Sequence, residues 1–245
     1  MPGTIDLVIA GLIAIVYPIW DYFNAWPRIV RTIASGRPNA RVSVYHEVLA
    51  TEWILTAVIA AEWIRAARPW SLIGLVLPVG WRLVLTVALI AALMLLFRAQ
   101  LRAIRRLDPV KRDRVRTRQA ALSALIPHNR VERAWFVPVA VTAGLCEEFI
   151  YRGFLLWAFR PWLGLWGAAL ASTVSFGFAH AYQGRRGATR AGALGAVFVV
   201  LAIAMGSVVP GMVLHALLDL ISGEASYAIF AEDLTGSATT GPGAS

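Results

Sequence analysis

Apolar residues in this chain come in long runs, separated by short polar connections that carry most of the arginines. The first run covers about 5–20. Residues 21–43 follow as a polar connection with Arg28, Arg31, Arg37 and Arg41, and with Pro27 and Pro38 as breakers. A second run at about 46–66 is flanked or interrupted by Glu47, Glu52, Glu62 and Arg65. It reads either as partly interfacial or as a helix whose carboxylates face a bundle. Residues 68–80, with Pro69, Gly74, Pro78 and Gly80, read as a turn or a short re-entrant piece. Further runs lie at about 81–97, 134–158, 163–181, 191–206 and 208–222. A helix of about 20 apolar residues spans the hydrocarbon core of a bilayer. The pattern therefore predicts an all-α, polytopic transmembrane bundle of about seven spans.

Composition strengthens this reading. Of 245 residues, 58% are hydrophobic and 15% are charged, against about 25% charged in ordinary soluble domains. The net charge of +9 raises nucleic-acid binding as an alternative. The charges, however, sit in the connections between apolar runs, as the positive-inside rule expects of a membrane protein. The expected partner is the lipid bilayer, with no nucleic acid. Residues 21–43, 98–133 and 182–190 then share the cytoplasmic side, with the N-terminus outside and the C-terminus inside. Residues 98–133 are the most basic; part could lie as an amphipathic helix on anionic lipid, and a solvated loop that fixes topology is the plainer reading. A single lysine, Lys111, among 23 basic residues hints at a GC-rich bacterial genome, and so at an inner (plasma) membrane, multi-pass location.

The single cysteine, Cys146, allows no intrachain disulfide, and as a buried thiol it reads as packing rather than as a nucleophile. The first run lacks a basic leader and a small-residue cleavage site, so it reads as a retained helix. Small residues, Gly164, Gly167 and Ala171, then Gly192, Gly195 and Ala196, allow later helices to approach closely. The chain divides into N-terminal helices with a basic loop (1–133), a helix core (134–222) and a tail (223–245) whose composition predicts disorder.

The chemistry concentrates in the core. Glu147, Glu148 and Arg152 occupy the run at 134–158, His180 ends the next, and His215 and Asp219 lie in the last. A charge at the centre of a membrane helix costs about 2.5–3.5 kcal/mol on the lenient scale, so ionisable residues there are functional candidates. Glu148 and Arg152, four apart, share a helix face and can pair. Glu147 lies about 100° around the helix from Glu148 and is left free. His215 and Asp219 have the same four-residue spacing. A glutamate and two histidines can hold and deprotonate a water; they can also bind a divalent metal such as zinc, so metal involvement stays open at this stage.

Glu147-Glu148-x-x-x-Arg152, Phe176-x-x-x-His180 and His215-x-x-x-Asp219, in this order and each in an apolar segment, resemble the three-motif pattern of the CPBP family. These are CAAX-processing and bacteriocin-processing intramembrane endopeptidases, related to the type II CAAX prenyl protease. Tyr151-Arg152-Gly153 also resembles the family's aromatic-Arg-Gly. The resemblance covers about 134–222 and implies peptide-bond hydrolysis in a peptide or protein substrate. Glu147 would be the base that activates water, and His180 would help hold that water. His215 would stabilise the oxyanion with Asp219 assisting, and Glu148 and Arg152 would support the site. The family has been described both as metal-dependent and as glutamate-type. An ionised Asp219, unlike the asparagine that the family also carries there, cannot donate to an oxyanion, so it would orient His215 or keep it protonated. Two rivals fit the same pattern: a catalytically inactive membrane scaffold or immunity factor, and a small ion- or proton-coupled transporter. The absence of an inverted repeat in the sequence argues against transport.

Overall fold

The computed structural model describes residues 1–108, 110–111, 114–115, 117 and 125–230; the side chain of Arg105 is outside that description. The described residues are helical with short connections and no strand. Helix α1 is a continuous stretch, Thr4–Ala34. It is followed by α2 (Ala40–Arg65), a 3₁₀ turn (Trp70–Ile73) and α3 (Trp81–Arg105). The core comprises α4 (Arg130–Glu147), a π-helical segment (Glu148–Leu155), α5 (Leu156–Ala179), a 3₁₀ turn (Ala181–Gln183), α6 (Gly184–Met205) and α7 (Val209–Phe230). Five stretches are long and apolar enough to cross a membrane: Thr4–Ala34, Trp81–Ile104, Arg130–Ala179, Ala181–Met205 and Val209–Phe230. This is a multi-pass membrane protein.

The described spans differ from the seven-run expectation in three places. The first helix does not stop near residue 20. It passes Pro18 and Pro27 and ends at Ala34, because two π-helical turns, Leu12–Val16 and Asp21–Ala25, precede the prolines. A proline cannot donate to the carbonyl four residues back and crowds it. For Pro18 that carbonyl belongs to Ala14, and it accepts the Ser175 hydroxyl instead, at 3.1 Å. The second difference is α2, which forms where the second run was expected but is not among the five stretches.

The third is Arg130–Ala179, a single stretch of 50 residues. At 1.5 Å per residue it measures about 75 Å, more than twice the hydrocarbon thickness. It breaks at Gly164, whose φ of 67° and ψ of 178° are not helical. A positive φ of this kind favours glycine. The break turns the stretch into two arms, which correspond to the runs at 134–158 and 163–181.

The tail also changes. Residues 223–230, expected to be disordered, continue α7 as helix to Phe230; the remainder of the expected tail, 231–245, lies outside the described residues. Much of the basic segment 98–133 does too, although its ends belong to α3 and α4.

The core gathers around the π-helical segment. Phe149, Ile150, Tyr151, Phe154 and Leu155 are all buried there, against Ile59 and Trp63 of α2, Phe176 of α5 and Met212 of α7. Two connections are tied in by polar contacts. Arg68 makes two 2.7 Å hydrogen bonds to the carboxylate of Asp6, with its guanidinium against the Trp63 and Trp157 rings. Ser207 donates to the Val76 carbonyl at 2.5 Å. Helix α7 lies along α4 at very short range, and a Cβ at Gly144 would stand 2.5 Å from the Ala216 nitrogen.

Candidate active site

The site begins where α4 gives way to the π-helical segment, between Glu147 and Glu148. Every residue of Glu148–Leu155 is buried. Glu148 is fully enclosed and Arg152 is 2% exposed. The Arg152 Nη1 lies 3.0 Å from Glu148 Oε1, so the expected pair is present. Buried ions need a partner and close packing, and neighbouring residues supply both. The Arg152 guanidinium sits 4.1 Å from the centre of the Phe176 ring. Two glycines leave the necessary room. A Cβ at Gly195 would come within 3.0 Å of Arg152 Nη2, and one at Gly211 within 2.9 Å of Glu148 Oε2.

His215 of α7 completes the cluster. Its Nδ1 lies 3.0 Å from Glu148 Oε1. Since a carboxylate only accepts, Nδ1 carries the proton and donates. The same oxygen of Glu148 therefore serves both Arg152 and His215. On the other edge of the ring, Nε2 stands 3.6 Å from Glu147 Oε2 and 3.7 Å from Asp219 Oδ2. The ring is stacked on Phe198, with centroids 5.3 Å apart and planes at 18°. Its tautomer and orientation are thus fixed from one side by Glu148 and from the face by Phe198.

His180 follows the last turn of α5. Its Nδ1–H donates to the Phe176 carbonyl at 2.9 Å, which leaves Nε2 as the free position of the ring. The ring also rests against Phe176, with centroids 4.5 Å apart. His180 and Glu147 line one cavity of about 120 Å³. Glu147 is the residue common to both groupings, beside His215 and on the cavity that His180 lines.

All six residues singled out in the sequence come to this region. Sequence reasoning missed part of the cavity wall: Tyr17 and Asp21 of α1, and Tyr182 after α5. Glu52 of α2, one of the carboxylates that the sequence allowed to face the bundle, also lines it. Its own signal was present, since a carboxylate in an apolar run has to face something polar.

The residue types allow a divalent metal such as zinc. Among the described residues, no three His, Cys, Asp or Glu side chains come together as a ligand set. The approach of Glu147 and Asp219 to His215 is that of ion-pair partners around one imidazole nitrogen. The described residues thus do not form a metal-binding group.

Glu147, His180 and His215 converge from three helical segments in the family's order, and a comparison with known families decides what they resemble. Residues 129–221 match the family model described as type II CAAX prenyl endopeptidase Rce1-like. The match covers less than half of the chain and includes all six residues singled out in the sequence. It agrees with the CPBP resemblance and supports a CAAX-protease-like enzyme in a membrane. Nothing among curated proteins or solved structures matches the chain.

Proposed function

We propose that this protein is an intramembrane endopeptidase that hydrolyses a peptide bond with water activated by Glu147. The observation that carries the proposal is that Glu147 lies beside the oriented imidazole of His215 and lines one cavity with the oriented imidazole of His180. His180 has Nδ1 occupied by the Phe176 carbonyl, and His215 has Nδ1 occupied by Glu148. Each ring then presents Nε2.

In the proposed reaction, a water held between Glu147 and His180 Nε2 loses a proton to the Glu147 carboxylate. The hydroxide attacks the scissile carbonyl carbon, and the carbonyl π electrons move to oxygen. A protonated His215 donates Nε2–H to that oxyanion, the usual means of stabilising such an intermediate. When the intermediate collapses, the C–N bond breaks and Glu147 returns the proton to the leaving amine. Asp219 and Glu148 hold His215 from its two edges, and Arg152 balances Glu148. The site lies in a plasma membrane, with residues 98–133 on the cytoplasmic side and the cavity opening toward that side.

The test is cleavage of a peptide library, read by mass spectrometry, with purified full-length protein in proteoliposomes. General-base catalysis contributes about 10²–10⁴-fold, so Glu147→Gln should lower the rate by about that factor with the helical spectrum unchanged. His180→Ala should also cut the rate sharply. Cleavage undiminished in both variants would sink the mechanism.

A further inference from the structure

The cavity beside Glu147 and His180 has walls that water activation does not require. We propose that it is a binding site for a lysine or arginine side chain of the peptide being cleaved, next to the scissile bond. The inference rests on the peptidase reading above.

The first observation is charge. Asp21, Glu52 and Glu147 line the cavity, along with one imidazole, His180, and no lysine or arginine lines it among the described residues. Nearby arginines are committed elsewhere, Arg152 to Glu148 and Arg28 to Glu47. Carboxylates gathered at membrane depth without a cation are costly. A cation delivered by the ligand would offset that cost.

The second is the state of the oxygens. Oε2 of Glu52 and Oε2 of Glu147 are both shut off from solvent, and neither accepts a hydrogen bond among the described residues. A buried acceptor normally has a donor. Glu147 Oε2 has only the His215 Nε2, at 3.6 Å, and Glu52 Oε2 has no donor among the described residues; an ammonium or guanidinium group, which carries several N–H groups and no acceptor, would supply one to each.

The third is the wall between the carboxylates. Trp26 and Tyr182 face each other with ring centroids 4.7 Å apart, and Tyr17 lies on the same cavity. Aromatic faces beside carboxylates make a wall along which a cation with an aliphatic stem can lie. The cavity volume of about 120 Å³ is well below the roughly 300–1,000 Å³ of pockets that take drug-sized ligands. It therefore suits one side chain rather than a length of peptide. Because Glu147 and His180 belong to the same wall, the side chain would flank the bond under attack.

The experiment uses full-length protein in proteoliposomes and two acetylated, amidated peptide pools that differ only in lysine against norleucine. Cleavage sites are mapped by mass spectrometry. A charge matched in a desolvated pocket discriminates strongly, so wild type should prefer the lysine pool by about 10-fold in kcat/KM, with lysine at one fixed position from the cut. That ratio should fall toward 1 in Glu52→Gln and in Asp21→Asn. No preference, or one untouched by both substitutions, overturns the proposal. Binding of the same pools to His215→Ala, whose substitution lies outside the cavity, separates the two readings. Tighter binding of the lysine pool that disappears on adding Glu52→Gln, with no cleavage by wild type, sinks the peptidase reading alone. Cleavage by wild type with equal binding of both pools sinks the cation site alone.

Discussion

Oε1 of Glu148 meets two side-chain donors, the Arg152 guanidinium and the His215 imidazole, each at 3.0 Å. Removing Glu148 strands a buried guanidinium and releases the imidazole at once. Breaking a buried ion pair costs about 3–5 kcal/mol, and Glu148→Ala should lose stability on that scale in a denaturant titration of the detergent-solubilised protein. Glu148→Gln should lose less stability, since its amide oxygen can still accept from one partner. Gly211→Ala is a milder probe of the same atom. Its Cβ would stand 2.9 Å from Glu148 Oε2, and overpacking of this kind costs about 1–3 kcal/mol. Peptidase activity should fall in that variant as His215 loses its alignment. These residues were legible in the sequence because charges spaced by four in apolar runs have few innocent explanations. The pairing of Glu148 with His215 was not legible, because it joins helices 67 residues apart and depends on how α7 lies against the π-helical segment. The same distance between sequence and contact concealed Asp21, which looked like the end of a first span.

At the scale of elements, the local wideness of α1 decides what its prolines do. Pro27 reads as a breaker when only its missing N–H is counted, yet α1 continues through it to Ala34. The polar character of Arg28 and Arg31 hid that continuation, since an amphipathic helical half resembles a loop in average hydropathy. Ser175 is the compensating residue for Pro18, through the Ala14 carbonyl. Ser175→Ala should leave that carbonyl unsatisfied in an apolar setting, at a cost of about 1–3 kcal/mol, measurable by the same denaturant titration. Packing of α4 on α7 offers a sharper case. Gly144→Leu should prevent the close approach at Ala216 and lower the yield of folded protein, followed by gel filtration in detergent.

For the whole molecule, orientation follows from arginine placement. The segment 98–133 carries eleven of the basic residues, from Arg98 to Arg133, and should remain cytoplasmic whether or not α2 crosses. Cys146 is buried, so a cysteine introduced at Arg102, on an exposed part of α3, gives a single accessible thiol. An impermeant maleimide should label it in inside-out vesicles and leave it untouched in right-side-out ones. The reverse pattern would invert the topology. The all-helical architecture was legible because apolar runs of spanning length leave few alternatives. The count of crossings was not, since a run of amino acids does not reveal whether its neighbour continues the same helix or doubles back.

The break at Gly164 sets more than the path of the chain. Glu147 stands seventeen residues before it and His180 sixteen after it, which along two helical arms is about 25 Å and about 24 Å. The hinge is therefore the zero of a ruler on which the base and its imidazole partner fall at matching depth. In a hydrocarbon layer of about 30 Å, that depth lies near the face opposite the hinge. Adding one residue between Gly164 and Ser172 would slide one mark against the other by about 1.5 Å and rotate it by about 100°. The water-handling pair is thus aligned by equal arm lengths, a property that belongs to neither residue.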